Sequence, residues 1–547
     1  MIDNRARLGW DRWVDHMLLA GLASSMFAFL YGPPYRLEQF DLPKELALAI
    51  LGVGCSAYLL FQSGAHASSR FRLLFAGTLV WGAVAAPVVA ASTVASWRTL
   101  GAAAAAGAVF VVARKRARDG RAAAGYWALL LLLGLMAILV LLEAYGGLPF
   151  FSAPGRRPGA TLGNRNLAAR VACFGLLVTW DRLNETKPWW LHVGLAVLAA
   201  LFVCVITVSR ARGAISVATV LLVALPALTW WFHAGALGGI RRAATVAWVL
   251  AFVVGAGAAL CLPNQMGWTA SDVGTSIRRI SEYQSGSGRG RIIQAKTSLA
   301  MIRAHPLVGV GVGNWSVVYP AYASGGDPSV APSAYFPGPQ VPRNDILALI
   351  AEVGLIGSMG VLGGCLALLL AAVRRRSADD PRVRASGVLI VGTLSTALLI
   401  GALDSVLRVA PTLLVCAMVL GLAFGESAAP EGPAPVAWPP SGRWGWRALW
   451  GGCLGLSLLG ALHITQDIRA FRIIGSLRSL GDLERAVAVA PNNMEARALI
   501  AYLLVTAGRC DVAAPHIARA AALQPYSGFV IGLEKHCGVP RTAAARP

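Results

Sequence analysis

Residues 346–373, ILALIAEVGLIGSMGVLGGCLALLLAAV, hold one formal charge, Glu352, in a run long enough to cross a bilayer. A hydrocarbon core of ~30 Å takes about 20 helical residues. Taken as a membrane helix, this run changes the meaning of what precedes it. Residues 263–345 form a polar island between it and the apolar run 243–262, and the island carries Arg278, Arg279, Arg289, Arg291, Lys296, Arg303 and Arg343. A chain this apolar keeps such a stretch in water only where the stretch has work to do, so chemistry is expected at that boundary.

Similar apolar runs recur at 14–31, 46–62, 73–94, 98–113, 126–142, 167–180, 190–208, 213–232, 243–262, 385–403, 408–424 and 447–466. With 56% hydrophobic and 14% charged residues in 547, and a mean hydropathy of +0.61, the chain belongs with polytopic membrane proteins. The expected fold is all-α, with about 12–13 transmembrane helices, a large extramembrane loop and a small helical C-terminal domain. The N-terminus lacks a signal-peptide cleavage pattern, so the first apolar run is expected to remain as a span.

The net charge of +22 does not imply nucleic acid, because in a membrane chain it is read loop by loop. Arg114, Lys115, Arg116, Arg118 and Arg121 follow the fourth run, and Arg374, Arg375, Arg376, Arg382 and Arg384 follow the tenth. The positive-inside rule places both clusters in the cytoplasm. Span parity then puts the N-terminus inside and the island and the C-terminal tail outside. Arg210 and Arg212, at an outward helix end, run against the topogenic trend and become functional candidates.

The chain divides into a membrane domain at 1–425, a Pro-rich inner linker at 426–446, a last span at 447–466 and an outward tail at 467–547. In the tail, Ala486 with Pro491 recurs as Ala520 with Pro525, an offset of 34 residues. Ala501 and Gly508 stand where a tetratricopeptide-like unit wants small residues between paired helices. So small a unit needs to pack on the membrane domain or a protein partner. Seven cysteines lie in or beside apolar runs, while Cys510 and Cys537 share the tail, where a disulfide is permitted. No metal-ligand spacing occurs, and no metal or cofactor is expected.

Pro342-Arg-Asn-Asp-Ile-Leu-Ala-Leu-Ile-Ala-Glu-Val-Gly-Leu-Ile-Gly357 resembles the signature of the O-antigen ligase and polymerase superfamily, roughly His-Asn-x-x-Leu-x-x-x-x-Glu-x-Gly-x-x-Gly. Thr161-Leu-Gly-Asn-Arg-Asn-Leu-Ala168 resembles its Gly-Asn-x-Asn helix entry, and Thr207-Val-Ser-Arg-Ala-Arg-Gly-Ala214 its Thr-x-Ser-Arg element. Residues from Arg291 through His305-Pro-Leu-Val-Gly-Val-Gly-Val-Gly-Asn-Trp315 resemble its loop motif, and Asp404-Ser-Val-Leu-Arg-Val-Ala-Pro411 a late-span element. The likeness covers about residues 30–425.

This resemblance implies about twelve helices around a periplasm-facing cavity in a bacterial inner membrane. It implies transfer of a glycan from a polyprenyl-diphosphate carrier to an acceptor hydroxyl on lipid, polysaccharide or protein, without a metal ion. Guanidinium forks match phosphate bidentately and stay protonated, so Arg291 with Arg210 or Arg212 is the expected diphosphate clamp. The bland alternative is that these arginines reach lipid headgroups.

One departure stands out. Arg343 occupies the place of the family's histidine, its proposed base, and an arginine cannot take a proton near neutral pH. Three outcomes remain open: Asp345 or Glu352 takes the acceptor proton, His305 swings in, or the protein binds its lipid-linked glycan without transferring it. Arg343 itself, together with Asn344, is expected to contact diphosphate or sugar. Glu352 and His305 equally suit structural roles. Asp404 and Arg408 read either as a helix-end i,i+4 pair or as part of the site. Lys44 and Arg36 are expected at lipid headgroups, Gly309–Gly313 in a tight turn or close backbone approach, and the Asn314-Trp-Ser316 sequon is formal only. A conventional transporter is disfavoured by the lack of an inverted repeat with paired broken spans.

Overall fold

The computed structural model describes residues 4–30, 38–61, 69–147, 154–185, 188–233, 239–278, 286–331, 334, 336–426, 440–476 and 479–540. Helices account for the regular structure of these residues, with no strand among them. In chain order they are α1 Asn4–Phe27, α2 Glu38–Phe61, α3 Ser69–Val89, α4 Thr93–Arg116, α5 Ala122–Tyr145, α6 Arg165–Leu183, α7 Trp189–Val208, α8 Arg212–Phe232 and α9 Gly239–Cys261. The island holds α10 Ala270–Arg278, α11 Gly286–Ala304 and α12 Trp315–Tyr322. Then come α13 Asp345–Arg374, α14 Pro381–Leu403, α15 Ala410–Gly425, α16 Pro440–Gly475, α17 Leu480–Val489, α18 Met494–Thr506, α19 Cys510–Leu523 and α20 Gly528–Cys537.

Each apolar run of the sequence falls on one of these helices, and eight helical stretches among the described residues are long and apolar enough to cross a membrane. One of the eight, Thr93–Tyr145, contains both α4 and α5, which meet at Gly120 in a left-handed conformation (φ 80°). Leu74–Val89 and Ala410–Gly425 are apolar but shorter. Helix α6 carries too much charge to stand out by hydropathy, yet every residue from Leu167 to Leu183 is buried. It is enclosed by other helices, so protein rather than lipid meets its charged groups. The outer helices show the opposite pattern: Leu355, Met359, Leu362, Leu366 and Leu370 recur at helical spacing along α13 and lie exposed.

Helix α13 is broken. Gly354 sits at φ 65°, ψ −177°, and the segment Pro306–Gly311 packs backbone to backbone against the break. Val310 N donates to the Ala351 carbonyl (2.9 Å), Gly311 N to Glu352 (2.9 Å), and Leu355 N to Pro306 (2.8 Å), so the interrupted ladder is completed from outside the helix. A Cβ on Gly309 would come within 2.4 Å of the Glu352 carbonyl, and one on Gly354 within 2.1 Å of the Leu307 oxygen. The glycine run is thus the close backbone approach read from the sequence. Asn314 is wholly buried and bonds Ser92, Ser96 and Val312, in keeping with a sequon in form only.

Three expectations change. Lys44 does not reach headgroups: it is buried within α2 and its Nζ donates to the carbonyls of Ala28, Phe40 and Thr161 at 2.7–2.8 Å. Three acceptors in one pocket compensate its desolvation. Arg36 lies outside the described residues. The last apolar run belongs to a longer helix, α16, of 36 residues. That helix begins at Pro440, inside the expected linker, where proline's missing N–H costs nothing. It also continues past residue 466 because Asp467 is anchored by Arg98 Nη1 (3.1 Å), itself bonded to Glu45.

The tail forms four short helices with their own apolar core, in which Ala486, Ala501 and Ala520 are fully buried. Gly508 turns left-handed (φ 71°) between α18 and α19, and a disulfide joins Cys510 to Cys537. Asn493 Nδ2 donates to Asp467 (3.0 Å), and the α19–α20 turn touches the island through Ser527 Oγ and the Ala334 carbonyl (3.3 Å).

Candidate functional site

A cavity of about 730 Å³ opens where α2, α6, α8, α13 and α15 begin and α14 ends. Its wall includes Arg156, Arg165, Arg170, Arg210, Arg212, Arg291 and Arg343, against two carboxylates, Asp41 and Asp404. The basic clusters at 114–121 and 374–384 occupy the other end of the bundle: α13 starts beside the cavity and finishes at Arg374, roughly 40 Å along the helix.

Local sequence explains how the cationic wall is built. Asn164 caps α6 by accepting from Asn166 N (2.9 Å). The loop before it is pinned by Glu143, whose Oε2 accepts from the backbone N–H of Gly159 (2.7 Å) and Ala160 (2.5 Å). Gly163 is left-handed (φ 68°) and lies where a Cβ would strike the Phe40 ring at 2.3 Å. Arg210 occupies the α7–α8 turn at φ 51°, a conformation costly for a non-glycine residue and typical of functional sites. Its Nε donates to Ser276 Oγ of α10 (2.9 Å). Nearby, Thr269 donates from its backbone N–H and hydroxyl to Asp272, holding that carboxyl below its usual range, with the Arg210 charge adding to the effect.

The turn after α14 is held from three directions. Arg291 Nε donates to the Leu403 carbonyl (2.8 Å), while Arg170 reaches the Ser405 carbonyl (2.5 Å) and Asp404 Oδ2 (2.6 Å). Asp345 accepts from Ser405 Oγ (2.7 Å), Val406 N (2.6 Å) and Leu407 N (2.9 Å). Asp404 and Arg408 do not pair with each other, because α14 stops at Leu403 and the intervening residues are not helical. Asp404 pairs with Arg170, and Arg408 with Glu352.

The structure therefore brings together Arg210, Arg212, Arg291 and Arg343 on one wall and leaves other sequence candidates off it. Asp345 is buried and engaged by three donors. Glu352 is 1% exposed, accepts from Trp315 N (3.0 Å) and pairs with Arg408, away from the cavity lining. Asn344 caps α13 through Leu347 N (2.9 Å) and donates to the Ala402 carbonyl (3.1 Å). His305 is exposed beyond the end of α11, where its Nε2 meets Tyr322 Oη at 3.0 Å. Arg278 is exposed and off the lining, and Arg279 lies outside the described residues.

Sequence reasoning passed over Arg156, Arg165, Arg170 and Asp41. Arg170 had a usable signal, since a charge inside an apolar run marks a functional position by default. Asp404 was weighed only with Arg408. Among the described residues no group of three His, Cys, Asp or Glu side chains is placed to hold a metal. The chemistry on offer is the binding of a multiply charged anion by guanidinium forks, with carboxylates beside it able to accept a proton. No protein-family model matches this chain, and no curated protein matches it.

Proposed function

We propose that the protein is a bacterial inner-membrane glycosyltransferase of the O-antigen ligase or polymerase type. Its donor is a glycan on a polyprenyl diphosphate, and its acceptor a hydroxyl on lipid, polysaccharide or protein. The observation that carries this reading is the concentration of seven arginines from separate elements on one cavity at a single end of the bundle. A cleft of one sign focuses its field on an anionic ligand, and a diphosphate leaving group needs cations where its charge develops. In this reading the cavity faces the periplasm, Arg210, Arg212 and Arg291 hold the diphosphate, and Arg343 takes part in the same clamp. Asp404 and Asp41, the carboxylates on the wall, are the groups positioned to accept the acceptor's proton. The tail acts as a tetratricopeptide-like module that packs on the outer loop and offers a surface to a protein partner.

A second reading, a glycan-binding or transport protein without transferase chemistry, is favoured by one observation: the cavity wall presents Arg343 and no histidine. The deciding experiment supplies purified protein with a synthetic undecaprenyl-diphosphate glycan and candidate acceptors. Transfer that is lost in Asp404→Asn or Asp41→Asn supports the first reading. Donor binding without transfer to any acceptor supports the second.

A further inference from the structure

Two guanidinium groups lie over one indole. Arg165 Cζ is 5.1 Å and Arg210 Cζ 4.9 Å from the ring centroid of Trp268. Both arginines line the cavity, and neither forms an ion pair among the described residues. Like charges held this close repel unless negative density lies against them or a counter-anion lies before them. The indole supplies the first, because its face attracts a cation within about 6 Å.

The platform is fixed in place. Asn264 Nδ2 donates to the Trp268 carbonyl (2.7 Å), Trp268 N donates back to Asn264 Oδ1 (3.1 Å), and Gln265 N donates to the Ala144 carbonyl of α5 (2.7 Å). Arg210 is held from the other direction by its left-handed backbone and by Ser276. A tryptophan on a braced backbone, a costly backbone conformation and a hydroxyl therefore converge to keep two cations outside any ion pair on one wall. Among the described residues no carboxylate forms an ion pair with either one, and Asp272 acts on Arg210 only at longer range, so the wall keeps positive charge to offer an anionic ligand.

We propose that Trp268 is the positioning residue of an anion subsite in which Arg165 and Arg210 grip one phosphate of a diphosphate group. The proposal deepens the donor-site reading and rests on it for the identity of the anion, but binding does not require that transfer occur. Arg165 is the variable residue of the Gly-Asn-x-Asn segment, so this subsite uses a side chain the motif itself does not specify. Leucine at 268 keeps apolar bulk and loses the π face, so the two guanidiniums spread apart. Phenylalanine keeps a π face of lower strength.

The test titrates inorganic pyrophosphate, with inorganic phosphate for comparison, into the purified full-length protein in detergent at low ionic strength. Pyrophosphate is expected to bind more tightly than phosphate. Trp268→Leu and Arg165→Gln should each weaken pyrophosphate about 10-fold, and Trp268→Phe about 3-fold or less. Added to Arg165→Gln with Arg210→Gln, Trp268→Leu should cost little more. The proposal is overturned if the parent does not bind pyrophosphate, if Trp268→Leu binds like the parent, or if Trp268→Leu costs as much without the two arginines as with them. Should Trp268→Leu melt early, unchanged binding in both Trp268→Phe and Arg165→Gln overturns it equally. The two readings fail separately. Absent glycan transfer with the expected binding pattern removes the transferase and keeps the subsite, whereas transfer with unaltered binding in Trp268→Leu removes the subsite alone.

Discussion

Replacing Arg408 with alanine isolates the role of Glu352. The Glu352 side chain is 1% exposed and that of Arg408 21% exposed, and the carboxylate's other partner is Trp315 N at 3.0 Å. Removing the arginine leaves a buried anion with one neutral donor. Breaking such a pair costs about 3–5 kcal/mol, far more than the 0–1 kcal/mol of a surface ion pair. Because Arg408 is partly solvated, the lower part of that range, about 3 kcal/mol, is expected. Glu352→Gln should cost less, about 1–2 kcal/mol, since a glutamine oxygen still accepts from Trp315 N and the charge left behind, on Arg408, is partly solvated. The double variant should resemble Glu352→Gln, giving a coupling of about 3 kcal/mol between the two positions. Stability is read from denaturant unfolding in detergent micelles, with glycan transfer or surface-polysaccharide assembly measured in parallel. Activity should fall in step with stability, because the pair braces the Pro306–Trp315 segment against the break in α13. A Glu352→Gln protein as stable as the parent yet devoid of activity, beside a fully active Arg408→Ala, would falsify the bracing role and restore Glu352 as a candidate base.

Arg291→Lys and Arg210→Lys should each lower donor use about 10-fold or more despite preserving charge, because an ammonium cannot present the guanidinium fork; lysine variants with parental activity remove those positions from the clamp. Labelling of single cysteines at Ser271 and Ser377, in a background free of the other unpaired cysteines, should mark position 271 from the periplasm and 377 only after permeabilisation, and the reverse pattern refutes the orientation. Glu426, at the end of α15, has its carboxyl raised from 4.5 to about 7 by burial and then by Asp181. The folded state thus holds a proton the unfolded chain has released, so the stabilisation is complete below about pH 4.5 and is lost as pH rises through about 7. Melting temperature should fall between pH 5 and 7.5 in the parent and stay flatter in Glu426→Gln; equal slopes contradict this. Cys510→Ser should destabilise the tail by about 3 kcal/mol, since the disulfide closes a separation of 27 residues, and an unchanged tail-unfolding transition speaks against it.

Hydropathy made the helical, membrane-type architecture legible, because apolar runs of bilayer length report directly on burial. It was least informative at α6. The buried charges Arg170, Asp181 and Arg182 lower the hydropathy of a helix that is enclosed by protein, and a sequence window does not distinguish lipid from protein as the surroundings. Arg210 and Arg212 are legible because arginines at that helix end run against the expected charge asymmetry, Arg291 and Arg343 because they fall in the segments that carry the family resemblance, and all four share one cavity. The partners of the acidic residues were not legible. Asp345 and Glu352 look alike in sequence to any carboxylate that takes a proton, and only the approach of residues 405–408 and of Trp315 shows that their lone pairs are already engaged.

The sequence by itself determined the spacing of the apolar runs, the charge asymmetry between the loops, and the glycines at 309 and 354 that permit backbone contact. These are local properties, set by neighbours within a few residues. Tertiary structure alone decided that Arg165 and Arg210 meet on Trp268, that Asp404 pairs with Arg170 across 234 residues of chain, and that Lys44 is consumed by three carbonyls rather than by a ligand. The physical reason is range. Helix formation and bilayer partitioning depend on nearby residues, whereas the state of a charged side chain depends on whichever distant segment packing brings within about 3 Å of it.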